Sequence, residues 1–315
     1  CGFIGFHYAR NLLKKKIDVI GIDNVNNYYS QLLKLNRLKD LKKFRNFKFK
    51  KIDITNYRKL NYIFKKNKIS CVIHLAAQAG VRLSFQKPEV YFNNNVSGYF
   101  NILNLCKIYS IKKLIYASSS SVYGDSKKKI LSENDRTDLQ VSFYAATKKM
   151  NEICSNVFAK KFNMDIIGVR FFTVYGPYGR PDMAYFKFLD NLYKNKSIDV
   201  YNYGKHSRDF SYIDDVVHAL YKIQKLNPQK RHIIYNIGSG NPQKLLELIN
   251  ILENLTGKKF IINYTQKQTG DVKNTFANIN SIRKQINFKT KTNLKNGLNN
   301  FVNWYIDYYK LNKNN

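Results

Sequence analysis

The chain lacks a long apolar run, a paired-cysteine motif and anything near a balance of charge. Across 315 residues no stretch reaches the ~20 consecutive apolar residues that a bilayer-crossing helix needs, and no cleavable secretory leader is visible, so a cytoplasmic setting is expected. Cys1, Cys71, Cys106 and Cys154 stand far apart with no CxxC spacing, which indicates neither a metal site nor a disulfide framework. Three of them fall in apolar or helical contexts and read as small core residues. Acidic residues are the marked shortage, 21 against 54 Lys and Arg, giving a formal charge of +33. Such an excess ordinarily points to nucleic acid or an anionic surface. Here the lysines are spread over nearly every element, and runs such as Lys14-Lys15-Lys16, Lys42-Lys43 and Lys127-Lys128-Lys129 are not interleaved with aromatics as a stacking platform would be. Specific nucleic-acid binding is therefore not expected, while a small anionic substrate suits the same field.

What is present is globular. Apolar residues make up 44% of the chain and aromatics 15%, enough at this length for one large core with a smaller one beside it. No internal repeat or flexible linker divides it. Strand-like runs at 17–23, 47–52, 70–75, 113–118 and 164–172 alternate with helical stretches at 31–42, 88–109 and around Tyr144, the order that βαβ units require. Further on, strands are expected at 199–201, 233–238 and 259–264. A loop at 204–215 runs into a helix reaching about Leu226, and helices are expected at 245–255 and 294–309.

The start, Cys1-Gly2-Phe3-Ile4-Gly5-Phe6-His7, leads into an amphipathic stretch through Lys16. It reads as the back half of G-x-x-G-x-x-G, where helix amides meet a diphosphate. The leading glycine and its strand are absent, so the central sheet is expected to lack its first strand. Asp23 closes the next strand at a distance suited to accepting both adenosine ribose hydroxyls of NAD, or it closes a turn. Asp53 could meet the adenine edge or cap the helix near Asn56. His74, inside an apolar strand, reads as a core histidine.

Tyr116-Ala117-Ser118-Ser119-Ser120-Ser121-Val122-Tyr123-Gly124 reads as a strand whose carboxyl end carries hydroxyls. Tyr144 and Lys148 then share one face of a helix. A nearby ammonium favours a phenolate, so Tyr144 could accept a proton well below its free pKa of about 10. Ser119 could hydrogen-bond the same substrate oxygen, making a site that removes a proton from an alcohol as hydride leaves its carbon.

These stretches resemble the extended short-chain dehydrogenase/reductases and, within them, the NAD-dependent nucleotide-sugar epimerase/dehydratase family. The resemblance covers Gly2 to about Asp307. Its more specific pieces are Gly21-Ile22-Asp23-Asn24, the run from His74 to Arg82, Ser118 to Gly124, Tyr144 to Lys148, Arg170 to Pro177, Gly179 to Ala184, and Ser207-Arg208-Asp209-Phe210. It implies an α/β fold, a Rossmann-like parallel sheet with helices on both faces, and a smaller C-terminal α/β substrate domain. Residues 1–172, with 205–240 returning to them, would bind NAD, and 173–204 and 241–315 would mainly bind substrate.

The same resemblance implies catalytic roles for Ser119, Tyr144 and Lys148. It implies cofactor contacts from Gly2, Phe3, Ile4, Asp23, Asp53, Ile54, Leu75, Ala76, Ala77 and Asn95, with Tyr144 and Lys148 also meeting the cofactor. Asn95 would lie near the active site and help hold the interior helix and the site's geometry. Substrate contacts would come from Arg82, Ser119, Thr173, Arg180 and Arg208, with Arg208 on the nucleotide-sugar diphosphate. Arg180 could instead simply pair with Asp182. The related dehydratases place an Asp-Glu pair after the hydroxyl residue, and this chain has Ser120 and Ser121. The implied reaction is C4 epimerisation of a UDP-hexuronic acid, UDP-glucuronate to UDP-galacturonate, through a 4-keto intermediate. A neutral-sugar UDP-glucose/UDP-galactose 4-epimerase and a catalytically impaired nucleotide-binding fragment are the alternatives. A homodimer is expected through the helices at 88–109 and 143–161.

Overall fold

A computed structural model describes residues 1–266, 272 and 274–311. In chain order the first half runs α1 (Phe3–Lys14), β1 (Val19–Asp23), α2 (Gln31–Leu41), β2 (Phe47–Lys51), α3 (Tyr57–Lys66), β3 (Val72–His74), α4 (Leu83–Gln86), α5 (Pro88–Tyr91), α6 (Gly98–Ile108), β4 (Lys113–Ser119), α7 (Phe143–Lys161) and β5 (Asp165–Phe171). The second half runs β6 (Thr173–Tyr175), α8 (Ala184–Tyr193), β7 (Ile198–Tyr201), β8 (Ser207–Arg208), β9 (Phe210–Tyr212), α9 (Ile213–Lys225), β10 (His232–Ile237), β11 (Gln243–Lys244), α10 (Leu245–Thr256), β12 (Ile262–Thr265), α11 (Asn280–Ile286) and α12 (Leu294–Tyr309).

The strands of the first half, with β10, fall into two parallel sets. Four are ordered β10-β5-β4-β3, while β1 pairs with β2 alone. Alternation along β4 puts helices on both faces. Leu114 and Tyr116 pack with Leu60 and Phe64 of α3 and Leu103 of α6, whereas Ile115 packs with Phe3 of α1 and Leu220 of α9.

The expected interruption of the sheet lies between β1 and β3. The two strands do not hydrogen-bond to each other, and both line one cavity of about 1180 Å³. Every residue of β1 is consequently half-buried, where its apolar sequence reads as a buried strand. The later segments add three small strand pairs, β6 with β9, β7 with β12 and β8 with β11. One apolar core continues from β4 and β5 into α8, α10 and α12.

Three local features depart from expectation. The helix expected over 88–109 is broken, with a π-helical turn at Phe92–Ser97 between α5 and α6, which aims Asn95 inward. Part of the loop expected at 204–215 is paired as β8 and β9. Helix α11 was not foreseen.

Candidate active site

Strand β4 ends at Ser119, and the next residues, Ser120–Tyr123, make one 3-10 turn closed by Gly124 at φ +59°. A Cβ on Gly124 would strike the Leu139 carbonyl, so only glycine makes that reversal. Helix α7 starts where the Ser142 hydroxyl accepts the Ala145 N–H at 3.1 Å, which sets Tyr144 in its first turn and Lys148 one turn deeper. Lys148 is 2% exposed and its Nζ donates to the Ala117 carbonyl at 2.9 Å. The helix is therefore tied to the serine-bearing strand end by the lysine itself.

Electrostatics correct the sequence reading of Tyr144. Burial is the largest influence and raises its pKa, opposed by a hydrogen bond with Ser119 and the charge of Arg180. Lys148 does not figure among those influences. Its own pKa is pushed down to about 8 by burial. Desolvation disfavours charge on both groups, and the ion pair of Arg180 and Asp182 acts on the phenol in opposite senses, the guanidinium lowering its pKa and the carboxylate raising it.

Arg180 is paired with Asp182 and also faces the cavity. Its Nε donates to Asp182 Oδ1 at 3.0 Å, and Tyr28 donates to Asp182 Oδ2 at 3.1 Å, yet Arg180 lines the same cavity as Tyr144. Arg82 lies over the Tyr201 ring at 4.7 Å. Arg208 Nη1 donates to the Ser207 carbonyl at 2.9 Å, and Thr173 opens β6 with its N–H donating to the Asp209 carbonyl at 3.0 Å. Arg82, Arg208, Thr173 and Ser119 all line the cavity.

Helix α1 begins at Gly2 with no side-chain cap, and a Cβ built on Gly2 meets nothing within 4 Å. Protein packing thus gives no reason for glycine there, while an uncapped helix start with free approach to its amides suits a diphosphate. Asp23 accepts the Val25 N–H at 2.7 Å through Oδ1, with Oδ2 3.1 Å from the Cys1 nitrogen, so it shapes a turn and flanks the glycine segment at once. Phe3, Ile4, Ile54, Leu75, Ala76 and Ala77 line the same cavity. The residues present fit NAD.

Two predicted residues do not face that cavity. Asp53 accepts Thr55 N at 2.8 Å, Thr55 Oγ1 at 2.7 Å and Asn24 Nδ2 at 2.7 Å. Burial opposes its charge, but these hydrogen bonds win and lower its pKa; the α3 cap is Asn56. Asn95 is buried, with Oδ1 accepting Gln78 N at 2.7 Å and Nδ2 donating to Gln78 O and Thr147 Oγ1. It joins the loop after β3 to α7 and is not among the residues lining the cavity, where a cofactor contact was expected of it. His74 is buried at 5.1 Å from the Tyr99 ring with its pKa pushed down to about 3.

Sequence reasoning missed Tyr91, whose hydroxyl donates to the Ala79 and Gly80 carbonyls at 2.8 and 2.6 Å. It also missed Lys34 and Arg37, both buried on α2. Nothing in a lysine-rich helix singles them out before the fold is known. Among the described residues no group of three or more His, Cys, Asp or Glu could hold a metal ion, and no helix is long and apolar enough to cross a membrane.

Comparison with known proteins gives one consistent picture. The model of the NAD dependent epimerase/dehydratase family matches residues 1–238. Protein CapI of Staphylococcus aureus is 43% identical over 325 residues, covering 98% of this chain and 97% of that protein. A UDP-glucuronate 4-epimerase of Thermodesulfobacterium geofontis is 44% identical over 304 residues, 96% and 93% of the two chains. Among solved structures, UDP-glucuronic acid 4-epimerase from Bacillus cereus in complex with UDP-glucuronic acid and NAD superposes with a TM-score of 0.91 at 31% identity, covering 98% of this chain and 97% of that one.

Proposed function

Because the chain belongs to the NAD-dependent epimerase/dehydratase family, we propose that it inverts C4 of a UDP-hexuronic acid, interconverting UDP-glucuronate and UDP-galacturonate with NAD as cofactor. The observation that carries this reading is the convergence of Ser119, Tyr144 and Lys148 with Arg180 and the Gly2 helix start on one cavity. Relatives named as UDP-glucuronate 4-epimerases support the substrate.

Bound NAD would supply a reversible hydride acceptor at a carbon bearing a hydroxyl. Tyr144 takes the C4 hydroxyl proton and later returns it, while Ser119 holds the same oxygen by a hydrogen bond. Lys148 holds the cofactor's ribose and the end of α7. Arg180 faces the acid group of the sugar, and Arg208 fixes the diphosphate, where a fork of charged donors suits phosphate oxygens. Holding the nucleotide leaves the 4-keto sugar free to turn over before hydride returns to its other face. Asp53 and Asn95 act through neighbouring segments. Residues 1–172 and 205–240 form the cofactor half, and 173–204 with 241–315 form most of the substrate half.

Elimination of water is disfavoured. Ser120 and Ser121 supply no carboxylate beside Ser119, and Asp182 is taken by Arg180. Arg180 and Arg82 favour the uronate over a neutral sugar. The enzyme is read as a cytoplasmic homodimer. Incubation with UDP-glucuronate and NAD, followed by separation of the 4-epimers, should yield UDP-galacturonate. Rapid conversion of UDP-glucose with the uronate untouched would move the substrate to the neutral sugars, and no turnover of either would leave a nucleotide-binding protein.

A further inference from the structure

Helix α2 carries a buried guanidinium that catalysis, as described above, does not use. Arg37 has no exposure at all. Its Nη1 donates to the Cys1 carbonyl at 2.8 Å and the Tyr29 hydroxyl at 2.7 Å, and its Nη2 donates to the carbonyls of Tyr178 at 2.7 Å and Gly179 at 3.0 Å. Cys1 directly precedes the Gly2 helix start, and Tyr178 and Gly179 directly precede Arg180. One planar fork therefore holds both the cofactor turn and the root of the arginine loop, a geometry that a lysine's point charge cannot copy.

A second tether runs beside it. His7 of α1 lies with Nε2 2.9 Å from the Pro177 carbonyl. Burial holds His7 down to about 4, so at neutral pH its ring is uncharged and Nε2–H is the donor. Three successive carbonyls, Pro177, Tyr178 and Gly179, are thus gripped by the first two helices of the cofactor half. The Tyr178 ring adds contacts with Phe6 at 5.0 Å and Trp304 at 4.9 Å. Tyr178 adopts φ +54°, and a Cβ on Gly179 would lie 2.9 Å from the Gly176 carbonyl. Four-sided hydrogen bonding of a buried charge by neutral oxygens is costly to leave incomplete, so movement of either segment is felt by the other.

We propose that Arg37 is a positioning residue that couples the Gly2 turn to the Arg180 loop, so that filling the cofactor's phosphate site strengthens capture of the sugar's acid group. The coupling rests on the reading that Gly2 receives the diphosphate and Arg180 faces a uronate. By linkage it must work in both directions.

The test measures dissociation constants of UDP and UDP-glucuronate on NAD-free and NAD-saturated enzyme. For the parent protein, NAD should tighten UDP-glucuronate about tenfold and UDP hardly at all. In Arg37→Met the NAD effect on UDP-glucuronate should fall to about onefold, with UDP affinity within about twofold of the parent. Arg37→Lys, which keeps the charge but cannot bridge both segments, should lose the coupling too and decides the matter if Arg37→Met does not fold. Amide hydrogen exchange at residues 178–182 of the parent should slow when NAD binds.

Coupling retained in both variants, equal loss of UDP and UDP-glucuronate binding, or exchange at 178–182 indifferent to NAD would each overturn the role of Arg37 alone. If the parent with NAD binds UDP-glucuronate no better than UDP, the uronate reading fails and this inference falls with it.

Discussion

Tyr144, the proposed proton acceptor, is pushed by burial away from the charged form, and Lys148 one turn along is a cation pushed the same way. The lysine's penalty has a sign that can be checked. Its pKa falls from 10.5 to about 8 on folding, so between those values the unfolded chain binds more protons and stability rises with pH. Below about 8 the penalty is present in full, about 3 kcal/mol. Lys148→Met should therefore abolish turnover while matching or exceeding the parent's thermal midpoint at pH 7, with the difference shrinking from pH 8 toward pH 10.5. Unfolding scans of both proteins across pH 7 to 10 check it, and a variant less stable at every pH would count against a costly lysine. The spacing of Tyr144 and Lys148 was readable because a helix places such a pair on one face. Which cation acts on the phenol was not, since Arg180 approaches from a loop 36 residues further along the chain.

At the scale of elements, the site depends on how α7 sits against β4 and β5. One helical turn beyond Lys148, Glu152 accepts Ser118 Oγ of β4 at 2.6 Å and Arg170 Nε and Nη2 of β5 at 2.8 Å each. The carboxylate is 4% exposed and the guanidinium 2%, and Arg170 also lies over the Tyr123 ring at 4.7 Å. Removing one partner of such a pair strands the other's charge, at a cost of about 3–5 kcal/mol. Glu152→Ala should lose that much in denaturant unfolding and lower kcat as α7 loosens, whereas the paired replacement Glu152→Met with Arg170→Met should recover most of the stability. A double variant as unstable as the single one would contradict the ion-pair account.

The long elements here were legible because apolar periodicity persists through them, as in α7, β4 and α12. The π-helical turn was not, because Asn93-Asn94-Asn95 interrupt the pattern and the Gly98 that ends the turn is itself helical, so it marks no break. Strands β8 and β9 were lost for a related reason. Two or three residues carry no alternation, and their extended form depends on partners at Gln243–Lys244 and Thr173–Tyr175.

Over the whole molecule, burial leaves an apolar face on α6 and α7 unexplained by the core. On α7, Met150, Ile153 and Val157 are 37%, 55% and 58% exposed, and on neighbouring α6 Phe100 and Ile108 are 49% and 50% exposed. Their spacing forms a stripe along each helix, continuous with the partly buried Phe158, whose ring meets Phe100 at 5.9 Å. In a chain with a formal charge of +33, a mainly apolar stripe on two adjacent helices, edged by the exposed Lys107 over the Phe162 ring, is a place where copies can approach with little repulsion. A second copy related by a two-fold axis would bring α6 and α7 against their equivalents and bury the stripe from both sides. The face is also the outer side of the helix bearing Tyr144 and Lys148, so dimerisation would brace α7 between its partner and β4. Ile153→Asp with Val157→Asp should convert a dimer to a monomer in light scattering coupled to gel filtration, with far-ultraviolet circular dichroism unchanged. Turnover should fall in step with the monomer fraction and recover at concentrations that restore association. A parent protein that is monomeric at micromolar concentration would remove the two-fold arrangement, and α7 would then be held only by contacts within its own chain, among them those of Glu152, Lys148 and Asn95.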